Sequence, residues 1–481
     1  MRTIAFDAFD YCADRTFAPA RYRFVGDEHA GWDVARDGQP VLRLGPGYRA
    51  LRVRSCGVCS TDLARHFLPF PLPQVIGHEV VAVDDAGRRF VVEINASHVA
   101  RGVAHDCAFC RAGLPTHCRE RITLGIHDLP GGFGPWILAP VDACLEVPAT
   151  IPDSVAVLVE PFAAALHAVR TIAPRSDERI AVLGPRRLGM LVVAALAAVR
   201  GAMQKHEHGF EIAALVRDPA LAPMARAFGA TATHVLPAAA AALDRAFDVV
   251  IDTTGNPEGL VHAVGFARRE VHLKSTHGQP AVGLRHLTEL VVDELGIARF
   301  PRTAPLAGDE PWTRLRTGAR ARVAWLAAAE PPAWLATSAD VRRGTATELA
   351  EHYAATRDGL PRADVAVVDS PGGVDAVIRP RADREESLVR PRGLVLMHPY
   401  ADSAGSALLA AVTGRDLRLT SSRCGDFRDA LALLAQAPQL ARLGERLVTH
   451  TFAAGDLAHA FTVARSRACI KAVVTQDPAS P

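Results

Sequence analysis

Cys56-Gly57-Val58-Cys59-Ser60-Thr61-Asp62 is the stretch on which the reading of this chain turns. It is answered by Gly77-His78-Glu79 and, far downstream, by Val159-Glu160-Pro161. Cys59, His78 and Glu160 together offer one thiolate, one imidazole and one carboxylate. That donor set suits zinc, and three protein ligands leave a fourth tetrahedral position for water or another oxygen. A zinc ion with an open position is a Lewis acid that lowers the pKa of a bound hydroxyl. Taken singly, a buried Cys is more often core filling, and a buried His is more often structural. The order and context of all three carry the reading.

Outward from that stretch, Leu51-Arg52-Val53-Arg54 alternates as a half-buried strand should and delivers Cys59 at a strand-to-helix corner. Thr61 adds a hydroxyl two residues on, with helix capping as its structural alternative. Residues Pro71 to Gly77 make a Pro-rich approach to His78. Val80-Val81-Ala82-Val83 reads as a strand, closed by a turn at Asp84-Asp85-Ala86-Gly87. Residues 1–40 are weakly patterned and read as a first strand plus an irregular extension. Ile151-Pro152-Asp153-Ser154 opens a helix that is expected to carry Glu160. A carboxylate in the apolar run from Val155 to Leu166 is costly to bury unpaired, and a metal would satisfy it.

A second pattern begins at Ile180-Ala181-Val182-Leu183, followed by Gly184-Pro185-Arg186-Arg187-Leu188-Gly189 and an apolar helix to Val199. Strand, glycine turn and helix in that order turn backbone N–H groups toward a pyrophosphate. Gly184 and Gly189 hold the outer positions. Arg186 stands in the middle, where backbone and phosphate approach most closely; it either pairs with a phosphate or impairs binding. The strand Ile212 to Val216 follows. The ribose-binding acid of an NAD site would fall at Val216; Arg217 suits a 2′-phosphate and leans the reading to NADP, while Asp218 keeps NAD open. Both residues also suit capping of the next helix. Phe247 to Gly255 and Val271 to Thr276 read as further strands.

With these residues in place, the chain resembles the zinc-containing medium-chain alcohol/polyol dehydrogenases. Pro46-Gly47-Tyr48-Arg49-Ala50-Leu51-Arg52-Val53 running into Cys56–Asp62 carries the likeness, with Gly77-His78-Glu79, Cys107, Cys110, Gly113, Cys118 and Val159-Glu160-Pro161. The resemblance implies an α/β fold: a GroES-like, mostly-β catalytic domain plus a Rossmann domain with a doubly wound parallel sheet, and an insert. The catalytic domain is expected over 1–165, completed by 420–481, the Rossmann domain over 166–300, ending at 391–419, and the insert over 301–390. The active site is expected in the cleft between the two domains.

The same resemblance gives the site residues their roles. Cys59, His78 and Glu160 would hold catalytic zinc, Thr61 would relay the proton, Asp62 would orient His78, and Glu79 would lie just behind the metal. Relatives carry a relay histidine nearby; here Ala64 and Arg65 intervene and His66 is the candidate. Gly184, Arg186, Leu188, Gly189, Arg217 and Thr254 would face the cofactor. The structural zinc lobe of the family has four cysteines; Cys107, Cys110 and Cys118 match the last three, and Ala104 stands at the first. His105, Asp106 or His98 could substitute, and an unmetallated loop is the alternative. The implied activity is zinc-dependent hydride transfer between an alcohol or polyol, or its ketone or aldehyde, and NADP or NAD. The alternative is a non-catalytic degenerate relative that acts as a nucleotide-binding or scaffold protein. A small-molecule substrate and a homo-oligomer, dimer or tetramer, are expected.

Composition bounds these readings. The chain has 481 residues and a formal charge of +2, which offers no strong field to nucleic acid or to an anionic membrane. Met1 to Asp10 has acids where a signal peptide needs an apolar run, and Leu188 to Val199 is too short to span a bilayer. Nine cysteines, an odd count partly at metal spacing, favour reduced thiols in the cytoplasm. The insert holds Trp312, Trp325 and Trp334. Its Asp364 to Asp369, with Leu394 to Met397, loosely echoes 248–276, which reads as a partial duplication or a subdomain that extends the sheet, with chance similarity as the alternative. After Thr420 the chain is expected to return to the catalytic domain, with a helix over Asp426 to Leu434 and a last strand at Ala472-Val473-Val474.

Overall fold

The computed structural model describes residues 1–203, 209–275, 278–303, 320–355, 359–383 and 386–476. Trp312 and Thr276 lie outside the described residues. The chain divides into two compact units, Met1–Ala164 with Cys424–Pro481, and Ala165–Arg423.

The first unit is mostly β. Residues 1–40 are not a strand plus an irregular extension: Arg2–Tyr11, Phe17–Asp27, Gly31–Arg36 and Gln39–Leu44 form a four-stranded antiparallel sheet in chain order. Ile4, Phe6, Ala8 and Asp10 all point inward at period two. The inward Asp10 weakens the apolar pattern; it is satisfied by Tyr22, whose hydroxyl donates to it at 2.6 Å, and by Arg36 at 3.5 Å. A seven-stranded sheet is built around Tyr48–Gly57, flanked by Glu79–Val83 on one side and by Lys471–Thr475 on the other, with Trp136–Pro140 also paired to it. The last strand of the chain thus sits beside the strand that leads to Cys59. The helix expected from Ile151 through Glu160 is two helices, Asp153–Ala156 and Val159–Ile172, with Glu160 in the first turn of the second.

The second unit holds one eleven-stranded sheet. Its strands, numbered in chain order, are β1 (Arg179–Leu183), β2 (Glu211–Val216), β3 (Ala232–Val235), β4 (Phe247–Asp252), β5 (Ala267–Leu273), β6 (Gly296–Arg299), β7 (Ala321–Trp325), β8 (Ala339–Arg343), β9 (Ala363–Val368), β10 (Val389–Met397) and β11 (Arg418–Ser421). Their spatial order is β3-β2-β1-β4-β5-β11-β6-β10-β9-β7-β8. Neighbours are parallel except β6 and β11, which meet antiparallel. The apolar runs Ile180–Leu183, Val249–Ile251 and Val365–Val368 are buried throughout, as strands covered on both faces must be. Residues 321–397 therefore extend the same sheet. Trp325 and Trp334 fill a local core there with Phe300.

Candidate functional site

Cys59 caps the short helix Ser60–Leu63 that follows Tyr48–Gly57. Asp62, one turn on, folds back: its Oδ2 accepts from the Cys59 backbone N–H at 2.8 Å, and its Oδ1 lies 3.2 Å from His78 Nδ1. One buried carboxylate thus holds the cysteine backbone and sits beside the imidazole, which also meets the Cys59 sulfur. Burial disfavours a charged His78, yet Asp62 and the Cys59 sulfur outweigh it and hold its pKa well above the usual range. Cys56 behaves otherwise. Complete burial, then Asp62 and Glu79, push its thiol well up, so it stays a neutral core residue.

Glu160 is not in this group. Among the described residues, the one set of three or more His, Cys, Asp or Glu ligand atoms all within 4.8 Å of one another is His98, Cys107, Cys110 and Cys118. The structure brings Cys59 and His78 together and leaves the half-buried Glu160, which has interactions of its own, outside that spacing. Thr61 is half-buried in the first turn after Cys59.

Glu79 is buried and forms an ion pair with Lys471, whose Nζ also donates to the Val58 carbonyl at 3.1 Å. Burial disfavours the ammonium, but Glu79 and then Cys59 raise its pKa. Gly57 is required here, because a Cβ would strike the Glu79 carboxylate and the Lys471 stem. Lys471 is a site residue that the motifs do not name. Its one sequence signal is a charge inside the apolar run Ile470 to Val474, which a buried strand does not tolerate unpaired.

Arg65 is also fully buried. Its guanidinium donates to the carbonyls of Phe70 and Pro71 and to Gln74 Oε1, and so fastens the Pro-rich approach to His78. His66 places Nδ1 3.5 Å from the Tyr11 hydroxyl and its ring against Phe67.

In the lobe, His98 supplies the fourth donor. Its Nδ1 lies 3.3 Å from Cys118 Sγ and 3.9 Å from Cys110 Sγ, while its Nε2 meets Glu120 at 3.1 Å. Burial, then the Cys118 sulfur, push the Cys110 thiol up to about 12. At Cys107 burial works in the same direction, but donors from the Cys110 and Phe109 backbone win and lower it. Three sulfurs and one imidazole at this spacing are a Cys3His set, which fits tetrahedral zinc. The Glu120 contact is the usual carboxylate behind a ligating histidine. His105 stacks on the His98 ring rather than joining the donors.

The nucleotide turn keeps its glycine packing. Gly184 has φ +73°, and a Cβ there would press on Thr254; at Gly189 it would meet Thr253 Oγ1. Arg186 and Leu188 are half-buried at the start of the helix Arg187–Met203. Thr254 donates from N and Oγ1 to Asp252 Oδ1, at 2.9 and 2.6 Å. Arg217 is exposed and pairs with Glu258 at 3.2 Å, and Asp218 caps the next turn through Ala220 N–H.

Residues 45–149 match the family model of the alcohol dehydrogenase GroES-like domain. The chain is similar to curated dehydrogenases over part of its length. It is 31% identical over 166 residues to an L-threonine 3-dehydrogenase of Anaeromyxobacter, covering 32% of this chain and 47% of that one. It is 29% identical over 233 residues to an L-galactonate-5-dehydrogenase of Escherichia coli, covering 45% and 65%. The chain spans about half the length of most of these curated relatives. Among solved structures, an Escherichia coli alcohol dehydrogenase complexed with NADH aligns over 98% of this chain and 99% of its own, with TM-score 0.56 and 16% identity. A Thermotoga maritima alcohol dehydrogenase aligns over 98% and 100%, with TM-score 0.54 and 13% identity. At such identities the structures speak for the fold alone. Among the described residues no helix is long and apolar enough to cross a membrane.

Proposed function

We propose that the protein is a zinc-dependent oxidoreductase that moves a hydride between an alcohol or polyol, or the matching ketone or aldehyde, and NADP or NAD. The observation that carries this is the Cys59–Asp62–His78 arrangement, in a chain whose other unit holds the Gly184–Gly189 turn. Zinc, when bound, would supply Lewis-acid chemistry at the substrate oxygen. Cys59 and His78 would be two of its ligands, and Glu160 is proposed as the third.

The chain's own residues do the rest. Asp62 keeps His78 in one orientation. Lys471 neutralises Glu79 and sets a positive charge near the Cys59 sulfur. Thr61 Oγ1 passes the substrate proton outward. In the other unit, the amides after Gly184 take the pyrophosphate, and Arg217 turns from Glu258 to a 2′-phosphate when the cofactor is NADP. The lobe zinc is proposed at His98, Cys107, Cys110 and Cys118 in a structural role, since its four donors leave no open position.

A panel of polyols, amino alcohols and secondary alcohols, followed by nicotinamide absorbance, tests the activity. Cys59→Ser should abolish turnover while the far-UV dichroism and the lobe zinc persist. Unchanged turnover in that variant would refute the metal mechanism. Arg217→Ala should raise KM for NADPH and leave that for NADH alone; equal effects on both would remove Arg217 from the 2′ position.

A further inference from the structure

The sheet of the second unit reads alike from both ends. The order β2-β1-β4-β5 in one half is matched by β8-β7-β9-β10 in the other, with the earliest strand of each set inside and the next one outward. Side-chain detail repeats too. The backbone N–H of Arg179 in β1 donates to Asp248 Oδ2 at 2.8 Å, and that of Arg322 in β7 donates to Asp364 Oδ2 at 2.8 Å. Each ladder shifts register across that aspartate, between Phe247 and Val249 and between Ala363 and Val365. The following helices, Pro257–Phe266 and Pro371–Ile378, both begin on proline, and their caps Asn256 and Ser370 accept from Gly259 and Gly373. Generic βα units share strand order but have no reason to share a half-buried carboxylate on the same amide, a bulge and a cap.

The seam sharpens this. β5 pairs with β11 through Val271 and Leu419, and β10 pairs with β6 through Val395 and Ile297. Val271 and Val395 are counterparts in the two halves, so Leu419 and Ile297 are counterparts as well. Those two residues face each other across the antiparallel seam. A residue paired with its own counterpart marks a two-fold axis, the geometry by which two copies of one surface associate. Chain order adds an exchange: β6 follows β5 but pairs with β10, while β11 follows β10 but pairs with β5.

The halves differ where a phosphate would sit. Gly184 opens a 17-residue helix; its counterpart Ala327 precedes a helix of only six residues, Ala333–Ser338. The next amide, Ala328 N–H, donates to Asp369 Oδ2 at 2.7 Å. A carboxylate on that amide repels a phosphate.

We propose that β7–β10 is a degenerate second copy of the nucleotide-binding half, and that it takes the place of a second chain. The two copies exchange their last strands, so the edge at which two sheets would join by two-fold symmetry is paired within one molecule. The second copy has kept its strands and lost its phosphate turn, so each chain takes one dinucleotide.

Hydrogen exchange of the full chain, read by mass spectrometry over roughly a hundredfold dilution, tests the seam. The amides of Gly296–Arg299 and Arg418–Ser421 should stay equally protected at every concentration, whether or not the chain associates through another surface. Protection lost on dilution would overturn the proposal, because the seam would then be formed between chains. An Ile297→Cys/Leu419→Cys variant should cross-link within one chain on oxidation; cross-linked dimers would also overturn it. If that variant does not fold, the exchange data on the unaltered chain decide. The cofactor count rests on the function proposed above: fluorescence titration with NADPH and NADH should give one site per chain. Two sites would refute the closed turn. No saturation would refute the nicotinamide reading and leave the seam to the exchange result.

Discussion

Lys471 Nζ rests on the Glu79 carboxylate, and both groups are almost fully withdrawn from solvent. The pair joins the last strand of the chain to the strand after His78. Removing one member leaves the other buried and uncompensated, which costs about 3–5 kcal/mol. Lys471→Met should therefore lower stability to urea by that order, and Lys471→Met/Glu79→Gln should recover part of the loss. A double variant no more stable than the single one would show that the two charges are not coupled.

The lobe is expected to retain zinc through purification, and native mass spectrometry should count it. His98→Ala removes one of four donors and should strip the lobe of metal at chelator concentrations that the unaltered chain withstands. Glu120→Gln keeps the donors and weakens only the partner of His98, so its affinity should fall about 10- to 100-fold. Retention of lobe metal by His98→Ala under chelator would mean that another group completes the set.

Asp252 carries a pKa raised from 3.8 to about 6, because burial opposes its charge more than the two Thr254 donors favour it. Folding therefore takes up a proton. The stability this gives is full below about pH 4, fades between about 4 and 6, and is gone above, where the ionised carboxylate costs up to about 3 kcal/mol. Asp252→Asn keeps the acceptor for Thr254 without the charge. Its Tm should exceed that of the unaltered chain above pH 6 and vary less between pH 4 and 6. A lower Tm at pH 7 would count against the charge penalty.

Glu294 behaves in the opposite sense. It is buried at a positive φ of 52°, and it meets His167 at 3.0 Å, Arg392 at 2.6 Å and the Arg423 amide at 2.8 Å. Burial works against its charge, but the His167 and Arg392 partners prevail and depress its pKa strongly. Its contribution is present above the ordinary 4.5 and is lost as pH falls below that toward the depressed value. Glu294→Gln should cost a few kcal/mol at pH 7 and flatten the acid limb of the stability profile. An acid limb of unchanged slope would show that Glu294 is not the group that titrates there.

The division between sequence and tertiary structure follows from the range of the forces involved. Period-two alternation, the apolar runs of the central strands and the glycine turn at Gly184 are local, because they express backbone sterics and burial over a few residues. So is the cysteine spacing at Cys107, Cys110 and Cys118. The sequence alone determined these, and with them an α/β chain bearing metal-type donors and a nucleotide-type turn. It determined the opening sheet less clearly, because the inward Asp10 and the small Ala8 dilute the pattern set by Ile4 and Phe6. Contacts between distant segments belong to the folded chain. His98 rather than His105 completes the lobe because a short helix capped by Ser97 aims it at the sulfurs. Lys471 finds Glu79 across hundreds of residues because the last strand pairs beside Tyr48–Gly57. The pairing of Ile297 with Leu419 was likewise decided by packing, since strand partnership between remote segments leaves no mark on the order of residues along either strand.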